Sequence, residues 1–286
     1  MSSAPRLRTL LVLGRVSNLP TVWSNCLAGW WLGGHGHLGR LPLLFLGVSA
    51  LYTGSMFLND AFDAEYDRQR RPGRPIPSGQ ITAELVWVWG FVWVALGFFC
   101  LLLLGTTTGV LAFALLVCML LFNATHKVIT ASPWLMGLCR FWVYVIAGST
   151  GIQGVNGWPI WCGLALALYV AGLGCVAQRA GGRGPVPFWP LALLAAPAFL
   201  ALLMNAAAAR VAALWLSLVL ILWIAFCVRP IFQRGAVAPG RTVPGLLAGI
   251  VIVDWLAVAG GPHGLSSAFL VLFLATLWLQ QLLPAV

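Results

Sequence analysis

The sequence predicts an all-α chain, a multi-span bundle of transmembrane helices, and three observations carry that prediction. Hydrophobic residues make up 61% and charged residues 8% of the 286, and the mean hydropathy is +0.95. A soluble domain of this size could not bury so much apolar surface and still cover itself with polar groups. The apolar residues lie in long continuous runs without period-two alternation, so helices, rather than a closed barrel, satisfy the backbone in lipid. The basic residues fall in short connectors between those runs and favour alternate connectors.

A helix needs ~20 residues to cross the hydrocarbon core. Apolar segments of about that length occur at 12–33, 42–58, 85–104, 107–124, 134–152, 158–177, 188–205, 211–228, 243–260 and 265–283. Ten spans follow, or nine if one is re-entrant. Arg6, Arg8 and Arg15 precede or enter the first run, which reads as an uncleaved first span. With the N-terminus inside, the cytoplasmic connectors carry Arg68, Arg70, Arg71, Arg74, Lys127, Arg179, Arg183, Arg229, Arg234 and Arg241. The opposite side carries Arg40 and Arg210. This asymmetry sets the orientation, and it accounts for the net charge of +10 without a nucleic-acid partner. The expectation is one integral-membrane domain over residues 1–286, in a bacterial inner membrane, with its polar chemistry near the cytoplasmic face.

The seven cysteines lie in or beside apolar runs without a C-x-x-C pair, so they read as small buried hydrophobes. G-x-x-x-G spacings at 29/33, 105/109 and 245/249 read as close helix packing. The one long polar connector, 59–84, contains Arg74-Pro75-Ile76-Pro77-Ser78-Gly79, which cannot continue a helix.

Four of the six acidic residues lie between positions 60 and 67. If the second span continues at ~100° per residue, Asn59, Asp60, Asp63 and Asp67 share one stripe and Glu65 points away. Carboxylates on one stripe repel unless a cation binds. Oxygen-only ligands favour a hard ion, Mg²⁺, which keeps waters and bridges to substrate phosphates. Arg68, Arg71 and Arg74 follow at once and supply forked donors for phosphate oxygens. A solvated helix end balanced by its arginines is the plainer reading of the same residues.

The stretch N-D-A-F-D-A-E-Y-D-R-Q-R-R-P-G-R-P-I-P-S-G, Asn59 to Gly79, resembles the first aspartate-rich motif of the UbiA superfamily of intramembrane prenyltransferases. It is most similar to the version in chlorophyll synthase and digeranylgeranylglyceryl phosphate synthase relatives. Phe122-Asn123-x-x-x-Lys127 extends the resemblance more weakly. The resemblance implies a UbiA-like fold and transfer of an isoprenoid chain from its diphosphate to an aromatic or other lipid-soluble acceptor. It further implies that Asn59, Asp60, Asp63 and Asp67 hold Mg²⁺-diphosphate and that Arg68, Arg74, Asn123 and Lys127 contact the substrate.

Members of that superfamily usually carry a second acidic motif after span six. Here Tyr169 to Arg183 holds no carboxylate. Arg179 and Arg183 either touch the diphosphate in its place or form an ordinary basic loop. Arg140 and Asp254 lie inside apolar runs, where charge is expensive. Either they pair with each other, or Arg140 reaches the diphosphate and Asp254 binds or deprotonates the acceptor. Asn18 and Asn25 line the cavity or join helices. His126 is a weak candidate beside Lys127. A non-catalytic binder of isoprenoid diphosphate or lipid, a UbiA-type terpene cyclase and an ion-coupled transporter using Asp254 and Arg140 are the rival functions.

Overall fold

The computed structural model describes residues 7–127, 129–179, 188–205, 208–234 and 239–283. Among them are twelve α-helices and no strand. They are α1 (Leu7–Leu13), α2 (Leu19–Leu32), α3 (Leu41–Phe62), α4 (Ala64–Arg70), α5 (Ala83–Leu103) and α6 (Thr106–Thr125). The second half holds α7 (Ser132–Ser149), α8 (Gly157–Gln178), α9 (Trp189–Met204), α10 (Ala208–Arg234), α11 (Pro239–Ala257) and α12 (His263–Leu282).

Each of the ten apolar segments contains one long helix. Seven helices (α3, α5, α6, α8, α10, α11 and α12) are long and apolar enough to cross a membrane. Of the other three, α2 is only 14 residues and α9 only 16, while α7 carries Arg140 in its middle.

The first segment is not one helix, as 12–33 had suggested. It breaks after α1 at Arg15, whose φ of 44° and ψ of 46° lie in the left-handed region, and a 3-10 turn at Val16–Asn18 leads into α2. Pro20 sits in the first turn of α2, where its missing N–H costs nothing. The second segment, 42–58, lies whole within α3, and the helical continuation expected beyond it is interrupted after Phe62, with Asp63 between α3 and α4.

Two apolar cores meet at α2 and α7. Val22, Cys26 and Trp30 of α2 and Ile146 and Ala147 of α7 pack with α3, α5 and α6. Ala28 and Tyr144 of the same two helices pack with α8 to α12. The approach is close because both helices present glycine. A Cβ on Gly29 would fall 2.6 Å from the Tyr144 carbonyl oxygen, and one on Gly33 would strike the Gly148 carbonyl. The 29/33 spacing therefore marks a helix contact, whereas Gly105 faces open space.

Connector contacts give the topology. Gln153 N–H donates to Gly33 O and Ile152 N–H to His35 O, each at 2.8 Å, so the α2–α3 and α7–α8 connectors share one end of the bundle. Lys127 reaches Asp63, and Gln178 donates to Ser132 Oγ at 3.0 Å, which gathers the chain after α3, α6 and α8 at the other end.

Candidate active site

The acidic residues lie where α3 ends. Asp63 sits at the junction with φ −81° and ψ −6°, and the Asp67 N–H still reaches the Asp63 carbonyl at 2.8 Å. The chain keeps nearly its helical course, so Asn59, Asp60, Asp63 and Asp67 are all buried. Three carboxylates this close in a desolvated place repel, and cationic side chains offset the repulsion.

Asp60 and Asp67 form one group. Arg74 Nη1 donates to Asp60 Oδ1 at 3.0 Å and to Asp67 Oδ2 at 2.9 Å. Arg15 Nη2 donates to Asn59 Oδ1 at 3.1 Å and lies 3.7 Å from Asp60 Oδ1. Asp67 is 1% exposed, yet its Oδ1 has no hydrogen-bond partner among the described residues. Such an atom is costly unless a ligand completes it. A cavity of about 340 Å³ opens beside this group, lined by Val12, Arg15, Asp60, Arg71, Gly73, Arg74 and Pro75.

The R-P-I-P-S-G segment explains how Arg74 is held. Ile76 and Ile81 are buried against Leu13, Phe57, Ala61 and Val86, which anchors the connector by its apolar side chains. Ser78 N–H donates to Arg74 O at 2.9 Å and Gln80 N–H to Pro75 O at 3.0 Å. Gly79 closes the turn at φ 72°, which side-chain-bearing residues rarely adopt. Thr9 Oγ1 also donates to Gln80 at 3.1 Å and ties α1 to the turn.

Asp63 faces the other way. Lys127 Nζ lies 2.9 Å from its Oδ2 and His126 Nε2 3.2 Å from its Oδ1, while Lys127 also sits 4.3 Å above the Tyr66 ring. The four residues expected to share one ion are thus divided, and among the described residues no group of three or more His, Cys, Asp or Glu is assembled for a metal. Burial pushes the Asp63 carboxyl up, but hydrogen bonds from His126 and Lys127 outweigh it and hold the group below its usual value. A depressed folded-state value gives stability that is complete above the unfolded value and is lost as pH falls toward the folded one. Thermal melts should therefore show stability declining as pH drops below about 4, with a shallower decline in Asp63→Asn.

The other candidates fall in several places. Asn123 Nδ2 donates to Ser55 O at 3.2 Å, and Asn59 Nδ2 donates to Asn123 Oδ1 at 3.3 Å, so Asn123 braces Asn59. Arg68 pairs with Glu65 at 3.1 Å on the exposed face of α4, away from the carboxylates it was expected to serve. Arg71 lines the cavity. Asn18 is buried at the head of α2, where its carbonyl accepts from Thr21 Oγ1 at 2.7 Å. Arg179 follows α8, and Arg183 lies outside the described residues.

Arg140 and Asp254 do not pair directly. Arg140 Nη1 donates to Asn25 Oδ1 at 2.7 Å, and Asn25 Nδ2 donates to Asp254 Oδ2 at 2.6 Å. Ser24 Oγ and Tyr144 OH also donate to Asp254, at 2.5 and 2.6 Å. Asp254 is fully enclosed between α2, α7 and α11. Sequence reasoning missed Arg15 as a partner of the carboxylates and gave His126 too little weight. An arginine carried into the first apolar run, where a charge needs a partner, is the signal that was available.

Comparison with known proteins gives a consistent outcome. Residues 17–283 match the model of the UbiA prenyltransferase family. The chain is 33% identical over 112 residues to digeranylgeranylglyceryl phosphate synthase of Ignicoccus hospitalis, covering 39% of this chain and 37% of that one. It is 31% identical over 110 residues to protoheme IX farnesyltransferase of Bacillus pumilus, covering 36% of each. The matched stretches thus span well under half the length of these relatives. A solved UbiA homolog from Archaeoglobus fulgidus, bound to GPP and Mg²⁺, superposes with a TM-score of 0.65 at 15% identity, over 91% of this chain and 99% of that one.

Proposed function

From the premise that the chain belongs to the UbiA prenyltransferase family, we propose that it moves an isoprenoid chain from its diphosphate to an aromatic or other lipid-soluble acceptor, holding the leaving diphosphate at Asp60 and Asp67. The observation that carries this reading is the cavity beside those carboxylates, lined by Arg15, Arg71 and Arg74. Arginine forks suit phosphate oxygens, and a wall with three of them beside carboxylates suits a diphosphate with a divalent cation.

The residues fit Mg²⁺. The donors are all oxygen, and the buried Asp67 Oδ1 without a partner is the atom a hard cation would complete. Asp60 and Asp67 would hold the ion, Asn59 would stand beside them, and Asp63 would join only after leaving Lys127 and His126. When bound, Mg²⁺ supplies electrostatic stabilisation of the charge gathering on the leaving oxygens.

The chain's own groups do the rest. Arg15, Arg71 and Arg74 orient the diphosphate so that the C–O bond to the prenyl carbon breaks with its electron pair on oxygen. Asn123 keeps Asn59 in register through its amide. The surrounding helices exclude water from the electron-poor prenyl group, the acceptor forms the new bond to the prenyl carbon, and the acceptor's proton passes to the freed diphosphate. Asp254, whose oxygens are engaged by Ser24, Asn25 and Tyr144, favours a structural role over that of base.

The chain is an integral membrane protein, with seven helices apolar and long enough to span. We place the site near the cytoplasmic face, and the membrane as a bacterial inner one, on the arginine-rich connectors at that end. Purified protein given geranylgeranyl diphosphate, Mg²⁺ and a mixture of aromatic, glyceryl and polycyclic acceptors should yield prenylated product by mass spectrometry. A cyclised hydrocarbon without acceptor would favour the cyclase reading, and bound but intact donor would favour the non-catalytic one.

A further inference from the structure

We infer that this site works with a single divalent cation, and that Arg15, Arg71 and Arg74 supply the positive charge a second one would bring. The inference rests on the diphosphate reading above and adds a metal count and a role for Arg15.

The carboxylate inventory limits the metal. The whole chain holds six acidic residues. Asp254 is enclosed by Ser24, Asn25 and Tyr144, and Glu65 is spent on Arg68 at the exposed face of α4. Glu84 is exposed in the first turn of α5. Asp63 is held by Lys127 and His126. That leaves Asp60, which lines the cavity, and Asp67, joined to it through Arg74 and with one buried oxygen lacking a partner among the described residues. Mg²⁺ takes one or two carboxylates beside waters and substrate phosphates, so this single pair, already bridged by Arg74, suits one ion.

Charge balance agrees. A diphosphate ester carries roughly three negative charges near neutral pH, about two of them on the terminal phosphoryl. Together with Asp60 and Asp67 these are matched by the three arginines and one divalent cation. A second cation would leave an excess of roughly two positive charges in a mostly buried place.

Arg15 shows the strongest local sign of being held for a purpose. It is a non-glycine residue in the left-handed region, at φ 44°, where the chain breaks between α1 and α2. That conformation is unfavourable for arginine and is held by the packing of Leu13 on Ile76 and Ile81, which fixes where the side chain points. Its guanidinium reaches Asn59 Oδ1 and lies 3.7 Å from the same Asp60 oxygen that Arg74 binds, and both arginines line the cavity.

The test uses the full chain in detergent with Mn²⁺ and inorganic diphosphate. Electron paramagnetic resonance should count one Mn²⁺ per bound diphosphate in the wild type. Arg15→Gly should melt no lower than wild type, because glycine is at ease in the left-handed region, yet bind diphosphate about tenfold or more weakly at saturating Mn²⁺. Arg71→Gln, on an exposed side chain whose loss spares the fold, should weaken binding in the same direction. Two Mn²⁺ per diphosphate, or unchanged affinity in both variants, would overturn the inference while the diphosphate reading stands. No diphosphate binding by the wild type, or full binding by an Asp60→Asn, Asp67→Asn double variant, would overturn both.

Discussion

Asp67→Asn is expected to lower prenyl transfer by about 10²–10³-fold, the usual scale for losing one preorganised electrostatic group, while the protein stays folded. Asp67 is buried, one oxygen is bound by Arg74 and the other has no partner among the described residues. Asparagine keeps the volume and an acceptor for Arg74, which also retains Asp60. The loss is therefore one of charge and ligand strength, and packing survives. Initial rates of diphosphate release, with thermal melts of the same preparations, check both halves. A melting temperature close to wild type together with full turnover would remove Asp67 from the site.

The second large effect is on stability. Arg140→Leu is expected to destabilise the protein by about 1–3 kcal/mol, because Asn25 Oδ1 and Thr21 lose their donor and buried Asp254 loses its nearby cation. The chain of contacts runs from Arg140 through Asn25 to Asp254, with Thr21, Ser24 and Tyr144 completing the donors and acceptors. It joins α11 to α2 and α7, the two helices at which the apolar cores meet. The double variant Arg140→Leu, Asp254→Leu should recover much of the loss, since removing both members of a buried charged network is cheaper than removing one. Denaturation of the single and double variants reads the coupling. Asp254→Asn separates structure from catalysis. A network role leaves transfer within about tenfold, whereas an essential base would cost more than about 10²-fold.

Much of this architecture is legible in the sequence because lipid removes alternatives. Long apolar runs must be helices, and short basic connectors must alternate, so all ten segments contain helices. The breaks were not legible. Nothing local to Arg15 requires a left-handed residue, and the kink exists because α1 and the turn bearing Arg74 pack on each other through Leu13, Ile76 and Ile81. At the acidic motif, helical periodicity gives the shared stripe but not its division. That division depends on where cations arrive from elsewhere in the chain: Arg74 from fourteen residues on, Arg15 from the first apolar run and Lys127 from the end of α6. Arg140 and Asp254 were legible as an interior problem, and the bridging Asn25 was visible only as an asparagine on the right helix.

The central claim is that Asp60 and Asp67 join a divalent cation to a prenyl diphosphate. It is tested most directly by the affinity for geranyl diphosphate with and without Mg²⁺, in wild type and in the Asp60→Asn, Asp67→Asn double variant. The account predicts that Mg²⁺ tightens binding by about tenfold or more in the wild type, and leaves the double variant unchanged. Equal Mg²⁺-dependent tightening in both proteins would contradict it.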